Sequence, residues 1–339
     1  MPAPPPRIVA VFGSTGLQGA SVVHALLKDG TFTPRAITRD PESKAAIGLK
    51  TLGVEITKAD ATDKASVVAA LTGCEAVFAL TTFNFHATGP DEREQGKNIV
   101  DAAQEANVKF FIWSSLPSLA KLSDGKYTQC VQYEYKAHVE EYLRASGMPN
   151  ASLHLGVFLE NLWKFGALQK TESGSLEISV PSYGPADLQA FTWAGRDVGT
   201  AALALLKNYT DSAQLISGKA YPVITARMSF ADLAGLASQG ACTRRLALSL
   251  LIRIQRWASM FRLCLGGRPE WRCWMTWCVH SSADFGWTLN ASIIQYEFQA
   301  TRHGLYTETA IPNPELIALG MEFGTVEEFM KQDVVPRFK

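Results

Sequence analysis

A glycine-spaced turn near the amino terminus, Ile8–Leu27, constrains the fold of this chain more than any other stretch. An apolar run opens it, glycines follow at three-residue intervals as Gly13, Gly16 and Gly19, and the apolar positions then take helical spacing. This order predicts a strand, a tight turn and a helix. The first glycine permits the turn, the second lets the backbone approach a pyrophosphate, and the third lets the helix lie close to the strand. The pattern therefore predicts a dinucleotide site at the positive end of the helix.

Four further apolar runs alternate with helical patterns after this turn. Such an alternation predicts a doubly wound α/β fold in which helices join parallel strands. The predicted strands are Ile8–Phe12, Arg35–Thr38, Val54–Ile56, Ala76–Leu80 and Phe110–Trp113. Because the carboxyl ends of such strands line the cofactor crevice, the turn and the segments after the second, third and fourth strands are the expected contacts. These residues are Gly13, Ser14, Thr15, Gly16, Leu17, Gln18, Gly19, Arg39, Asp60, Ala61, Thr81 and Thr82.

Arg39 ends the second predicted strand, where a dinucleotide fold selects its cofactor. An acidic side chain there would bind the ribose 2′-hydroxyl of NAD, whereas a guanidinium pairs with the 2′-phosphate of NADP. The position favours NADP(H), and an exposed loop arginine is the alternative. Asp60 also has two interpretations, since it either faces the adenine or caps the predicted helix Lys64–Leu71.

The composition limits the class of protein. Of the 339 residues 47% are hydrophobic, and 32 basic side chains balance 32 acidic ones. This size suits one large or two small domains, and zero net charge gives no reason to expect nucleic acid or an anionic membrane as a partner. The six irregularly spaced cysteines do not form a disulfide framework. We expect a cytoplasmic protein with no signal peptide, membrane span or metal site.

A set of motifs distributed along the chain carries a resemblance to a known family. The motifs are GSTGLQG (13–19), TRDP (38–41), ADATD (59–63), VFALTTF (77–83), EQGKNIVDAA (94–103), FFIWSSL (110–116), GVFLENL (156–162), RDVG (196–199) and IPNPELIALGMEFGTVEEF (311–329). They resemble the NmrA-like branch of the atypical short-chain dehydrogenase/reductase superfamily, over residues 7–235 and 294–339. The resemblance implies a Rossmann-type domain over 1–155. It also implies a mixed region, 156–339, that completes the sheet and forms a smaller, discontinuous C-terminal substrate lobe.

The resemblance identifies Lys136 as the lysine of the superfamily's Tyr-x-x-x-Lys pair, in which lysine holds the nicotinamide ribose and tyrosine acts as the acid. Four residues earlier the sequence has Gln132, so the usual acid is missing. In reductases similar to isoflavone reductases, the matching lysine is the catalytic group and hydride passes from NADPH to a small aromatic substrate. In NmrA-like regulators, the same loss accompanies a non-catalytic NADP(H) sensor that contacts a protein partner.

The expected function is therefore an NADP(H)-binding oxidoreductase that acts on a small, secondary-metabolite-like substrate. The alternative is a redox sensor that regulates a protein partner. Lys136 is the expected catalytic residue and also a cofactor contact, and Asn161, in the motif GVFLENL, is a further expected contact near the substrate pocket. His86, after the fourth predicted strand, is a candidate substitute proton donor. No direct contact with nucleic acid is expected.

Residues 240–292 break the pattern of the chain. They hold seven arginines and no lysine, four of the six cysteines and five of the eight tryptophans. A zinc site at Cys273, Cys278 and His280 does not match a known ligand spacing, and a basic amphipathic helix over Leu246–Leu265 would suit a membrane surface. A third interpretation is a retained intron or a shifted reading frame, and a genuine divergent insertion is the fourth. We favour the third, which sequencing of the spliced transcript would test.

Overall fold

The computed structural model describes residues 5–82, 92–164, 166–170, 176–181, 186–211, 216–240, 251–255 and 305–338. The described strands are β1 (Ile8–Val11), β2 (Thr33–Thr38), β3 (Glu55–Lys58), β4 (Ala76–Ala79), β5 (Phe110–Ser115), β6 (Asn150–Leu155), β7 (Val157–Phe158), β8 (Leu168–Lys170), β9 (Leu176–Pro181), β10 (Leu188–Thr192), β11 (Lys219–Val223), β12 (Ala226–Ser229) and β13 (Leu251–Gln255). The five predicted strands are confirmed, with ends that differ by at most two residues.

Seven of these strands form one parallel sheet with the order β11-β6-β5-β4-β1-β2-β3. The order reverses direction at β1, since β2 and β3 lie on one side of it and β4, β5 and β6 lie on the other. This reversal is the switch point at which doubly wound folds bind their ligands.

Helices cover both faces of the sheet. The described helices are α1 (Leu17–Asp29), α2 (Lys44–Thr51), α3 (Lys64–Leu71), α4 (Glu92–Glu105), α5 (Leu119–Leu122), α6 (Val131–Ala145), α7 (Asn161–Lys164), α8 (Ala194–Asn208), α9 (Phe230–Gly240), α10 (Pro314–Ala318), α11 (Val326–Phe329) and α12 (Val335–Phe338), with a π-helical turn at Met330–Val334. Val9 and Val11 of β1 pack in one core with α1, α2 and α8. Ala10, between them, packs in a second core with α3, α4 and α6. Successive strand residues point to opposite faces, so this division confirms the doubly wound fold.

The helices α1 and α8 approach each other closely because Gly199, of the RDVG motif, has no side chain at their contact. A Cβ on Gly199 would lie 2.2 Å from the backbone oxygen of Ser21. The Ser21 hydroxyl accepts a 2.9 Å hydrogen bond from the Gly199 N–H and donates to the Arg196 carbonyl. The motif is therefore a helix-packing element.

A separate apolar core lies beside the sheet and joins two distant parts of the chain. It combines Phe191 and Trp193 with Phe230 of α9 and with Phe329 near the C-terminus. The Trp193 and Phe329 rings meet edge to face, with centroids 5.6 Å apart. This core is the smaller, discontinuous lobe, and β11 from the same half of the chain completes the edge of the main sheet. The division at residue 155 stays a prediction.

Of the anomalous segment 240–292, the structure describes Gly240, which ends α9, and the five residues of β13. β13 pairs parallel with β9, with Ile252 opposite Ile178 and Ile254 opposite Val180. The alternative of an amphipathic helix over Leu246–Leu265 is therefore wrong for 251–255, where β-branched residues suit a strand. The other residues of that segment, including those considered for a zinc site, lie outside the described part of the chain.

Candidate functional site

The predicted glycine turn lies between β1 and α1 at the switch point of the sheet. Gly13 has a φ of +61°, a conformation that costs glycine little and other residues much. Its carbonyl accepts a 2.8 Å hydrogen bond from the Gly16 N–H. A Cβ on Gly19 would lie only 2.3 Å from the Gly13 oxygen, so the turn closes against the helix only with glycine there. Gly13 and Gly19 thus have the roles in the turn and in helix packing that their spacing predicts, and the approach of Gly16 to a pyrophosphate stays a prediction.

The N-terminus of α1 is open at this turn. Gly16 is the N-cap residue, and no side chain caps the helix. Thr15 and Gly16 are exposed, while Leu17 and Gln18 are partly buried. The first N–H groups of a helix have no partner within it and carry its positive dipole end. The exposed turn can therefore bind an anion.

Two side chains of the turn are engaged by the protein itself. Ser14 is buried, and its hydroxyl donates to the Ile37 carbonyl of β2 at 3.1 Å. Gln18 accepts a 2.6 Å hydrogen bond from the Ser114 hydroxyl. A dinucleotide would therefore meet the backbone of Ser14 rather than its side chain. The roles of both residues, and of Thr15 and Leu17, stay predictions.

Arg39 lies exposed just beyond the carboxyl end of β2. Within the described part of the chain its guanidinium makes no hydrogen bond or ion pair. Asp60 follows β3. The hydrogen bond from the Thr62 N–H holds the pKa of the Asp60 carboxyl below its ordinary value, although burial opposes this effect. The positive charge of Arg39 makes a smaller contribution that also lowers this pKa. The neighbouring acid, Asp40, accepts a hydrogen bond from the Glu42 N–H. This crevice edge therefore offers a free guanidinium.

Asp60 does not cap α3, so that interpretation of the sequence is wrong. The cap is Asp63, whose carboxylate accepts from the N–H groups of Ala65 and Ser66. Asp63 directly precedes the first helical residue, which is the position that capping requires. The Asp60 carboxylate instead accepts from Thr62, and the Ala61 carbonyl accepts from Asn98 of α4.

Lys136 lies on α6 and reaches the carboxyl end of β4. Its Nζ donates to the Thr81 carbonyl at 2.9 Å and to Oε1 of Glu92 at 2.6 Å. The Thr81 hydroxyl donates to the same Glu92 oxygen at 2.6 Å. Thr81 and Glu92 are buried, whereas Thr82 is exposed. The structure therefore brings Lys136 and Thr81 together, as expected from the sequence, and adds Glu92, which sequence reasoning missed.

The backbone of Lys136 is fixed by β5. Trp113 donates from its ring N–H to the Lys136 carbonyl at 3.1 Å, and the lysine ammonium lies 5.6 Å from the Trp113 ring centroid. Such a cation and ring attract each other. Gln132 occupies the position four residues earlier on the same helix. A glutamine amide is not a general acid, so the acid of the superfamily's pair is absent from this position, and the catalytic role of Lys136 stays a prediction.

A second buried pair, also missed by sequence reasoning, joins α6 to β6. Oε2 of Glu140 lies 2.7 Å from Nε2 of His154, and Arg144 contacts the other carboxylate oxygen. Burial alone would raise the pKa of Glu140. The hydrogen bonds and charges of His154, with help from Ser115 and Arg144, outweigh burial and lower that pKa. The pair holds the carboxyl ends of β5 and β6 against α6.

The Glu140 pair has a testable pH dependence. Because the pKa in the folded chain lies below the ordinary 4.5, ionised Glu140 stabilises the fold above pH 4.5. That stabilisation is lost as the pH falls through the lowered pKa. We expect Glu140→Gln to be less stable than wild type at pH 6, with the difference shrinking towards pH 3 in urea denaturation. The control is Glu141→Gln, which changes an exposed acid one residue away. A stability difference between Glu140→Gln and wild type that stays constant with pH would contradict the lowered pKa of Glu140.

Asn161 is the first residue of α7 and is partly buried, beside a buried acid. That acid, Glu160, accepts hydrogen bonds from the N–H groups of Ala194 and Gly195 at the start of α8. Burial raises the pKa of Glu160 above its ordinary value. Glu160 thus ties the lobe to the sheet, and a cofactor contact by Asn161 stays a prediction. His86 lies outside the described residues.

In the part of the chain that the structure describes, no group of three or more histidine, cysteine, aspartate or glutamate side chains is placed to hold a metal ion. No helix in that part is both long and apolar enough to cross a membrane.

Comparisons with known proteins identify the family. The model of the NmrA-like family matches residues 6–244. The NmrA-like family domain-containing oxidoreductase hkm9 of Aspergillus hancockii is 40% identical over 141 residues, which cover 41% of this chain and 42% of that protein. The oxidoreductase malD of Malbranchea aurantiaca, of the same description, is 32% identical over 235 residues, which cover 62% of this chain and 69% of that protein.

A solved structure agrees with these matches at the level of the fold. The crystal structure of NmrA, a negative transcriptional regulator, in complex with NADP superimposes with a TM-score of 0.75 at 19% identity. The match covers 98% of this chain and 96% of that one. The family model alone spans more than half of the 339 residues, so the chain belongs to the NmrA-like family.

Proposed function

We propose that the protein is an NADP(H)-dependent oxidoreductase that acts on a small substrate by hydride transfer. The observation that carries the proposal is the glycine turn, where a Cβ on Gly19 would collide with the Gly13 oxygen and the N-terminus of α1 is left open. A backbone held this closely, with unpaired N–H groups beside it, fits a pyrophosphate. The oxidoreductases hkm9 and malD, to which the chain is similar, support the same function.

The residues present fit the cofactor. The turn from Gly13 to Gly19 would hold the pyrophosphate, Arg39 the 2′-phosphate and Lys136 the nicotinamide ribose. Asp60, Ala61, Thr81, Thr82 and Asn161 would complete the crevice. When bound, the cofactor supplies or accepts a hydride. Lys136 holds a proton on Nζ at the carboxyl end of β4 and would deliver it to a substrate oxygen.

A second candidate function is a redox sensor that binds NADP(H) and regulates a protein partner. Gln132 favours it, because the acid of the superfamily is absent from that position. The two candidates require the same cofactor site. They differ in turnover, since a sensor oxidises no NADPH and changes its affinity for a partner with the redox state of the cofactor.

The experiment that separates them measures NADPH oxidation by the purified chain against a panel of small aromatic and polyketide-like carbonyl compounds. Substrate-dependent loss of NADPH absorbance, with one product reduced by two electrons, would support the oxidoreductase. Tight NADPH binding without turnover across the panel would contradict the enzyme and favour the sensor.

The cofactor choice of Arg39 can be tested without a substrate. Because its guanidinium is exposed and unpaired in the described chain, Arg39→Ala removes a contact with the 2′-phosphate and leaves the fold intact. We expect the affinity for NADPH to fall about tenfold or more while that for NADH stays the same. The control is Lys50→Ala, which removes an exposed cation from the last turn of α2. Equal losses for both dinucleotides would contradict the assignment.

A further inference from the structure

Lys136 is held in place by an acid that comes from a different element. Glu92 is the first residue of α4, and 44 positions separate it from Lys136 on α6. The Glu92 side chain is 2% exposed and the Lys136 side chain 14% exposed, so the 2.6 Å pair is almost fully withdrawn from water. Burial of two charges costs free energy unless their geometry and further hydrogen bonds compensate. A buried ion pair of this kind therefore needs a structural or functional explanation.

The contacts of the pair leave one N–H of the ammonium only weakly bonded. Lys136 Nζ carries three N–H donors. One meets Glu92 Oε1 and one the Thr81 carbonyl, while the Thr81 hydroxyl donates its own proton to Glu92. The third N–H has only the Thr81 hydroxyl oxygen as an acceptor among these groups, at 3.4 Å, which is long for a hydrogen bond. It is available to a ligand that lies at the carboxyl end of β4.

The Glu92 carboxylate also has an oxygen without a hydrogen-bond donor. Oε2 of Glu92 is buried and has no hydrogen-bond partner among the described residues. A buried carboxylate oxygen without a donor is destabilising, and a hydroxyl group of a ligand would satisfy it. The ribose of a dinucleotide carries two neighbouring hydroxyls, which can donate to a carboxylate and accept from an ammonium.

We propose that Glu92 is a positioning residue that holds the Lys136 ammonium at the carboxyl end of β4 for the ribose hydroxyls of a bound dinucleotide. This inference rests on the proposed function. It adds an acid that acts through the lysine, and it explains why the lysine is oriented although Gln132 replaces the tyrosine. A role in the fold alone would lower stability without changing the affinity for a dinucleotide.

The test is a double-mutant cycle on NADPH affinity, measured by calorimetry without substrate. Glu92→Gln keeps the shape of the side chain and removes its charge, and Lys136→Met removes the other partner. We expect each single variant to weaken NADPH binding about tenfold. We expect the double variant to bind no more weakly than Lys136→Met, because Glu92 acts only through the lysine. The matched control is Glu94→Gln, an exposed acid in the same first turn of α4.

Each outcome decides the proposal. Unchanged affinity in Glu92→Gln, or losses that add in the double variant, would overturn the positioning role while leaving the proposed function intact. Absence of NADPH binding by the wild-type chain would overturn both. If Glu92→Gln does not fold, Glu92→Asp keeps the charge but withdraws it by one methylene group. An affinity loss in this variant that vanishes in the Lys136→Met background supports the proposal, and unchanged affinity contradicts it.

Discussion

Gly19→Val is expected to abolish dinucleotide binding. Its Cβ would start 2.3 Å from the Gly13 oxygen and 2.6 Å from the Ser14 nitrogen, and both are backbone atoms that cannot swing aside. The first turn of α1 must therefore move away from β1, which displaces the N–H groups that would hold the pyrophosphate. Because small displacements of binding groups are costly, we expect NADPH affinity to fall about a hundredfold or more. Calorimetric titration measures this loss.

The control for this variant is Gly48→Val. Gly48 lies on the exposed side of α2, and a Cβ added there meets no atom within 4 Å. This variant should bind NADPH as the wild type does. Far-UV circular dichroism checks that Gly19→Val is folded, and Gly19→Ala offers a smaller insertion at the same place. Wild-type affinity in Gly19→Val would contradict the location of the site.

Asp197→Ala is expected to produce the largest loss of stability. Asp197 is fully buried in α8, and its carboxylate accepts from the Thr225 hydroxyl at 2.6 Å, the Gly324 N–H at 2.9 Å and Arg196 at 2.9 Å. Alanine leaves these donors without an acceptor. We expect the free energy of unfolding to fall by about 3 kcal/mol, as measured by urea denaturation.

Two further variants separate the causes of this loss. Asp197→Asn keeps the shape but turns an amide N–H towards one of the donors, so its loss of stability should be intermediate. Glu322→Ala removes an exposed acid from the same C-terminal segment and should change stability little. Similar stabilities of Asp197→Ala and wild type would show that the carboxylate does not hold the C-terminal segment to α8.

The sequence predicts correctly the features that depend on short local patterns. The apolar runs define β1 to β5, and the period of three glycines defines the turn, because each depends on neighbours within a few residues. Asp60 shows where such a pattern was misread. The predicted helix already began at Lys64, so Asp63, and not Asp60, occupied the N-cap position in the sequence.

The features that the sequence does not predict are contacts between distant residues. Glu92 meets Lys136 across 44 positions, and Asp197 accepts from Gly324 across 127. Nothing in the composition of either segment marks these pairs, since an acid at the start of a helix is common for electrostatic reasons alone. The signal available for Glu92 was its place in the first pair of acids after β4, Asp91 and Glu92, at the edge where the crevice was expected.

The most direct test of the account is a calorimetric titration of the wild-type chain with NADPH, NADP⁺, NADH and NAD⁺. An open helix N-terminus beside an exposed Arg39 should bind one NADPH per chain, at least about tenfold more tightly than NADH. Absence of binding by all four dinucleotides, or a preference for NADH, would contradict it.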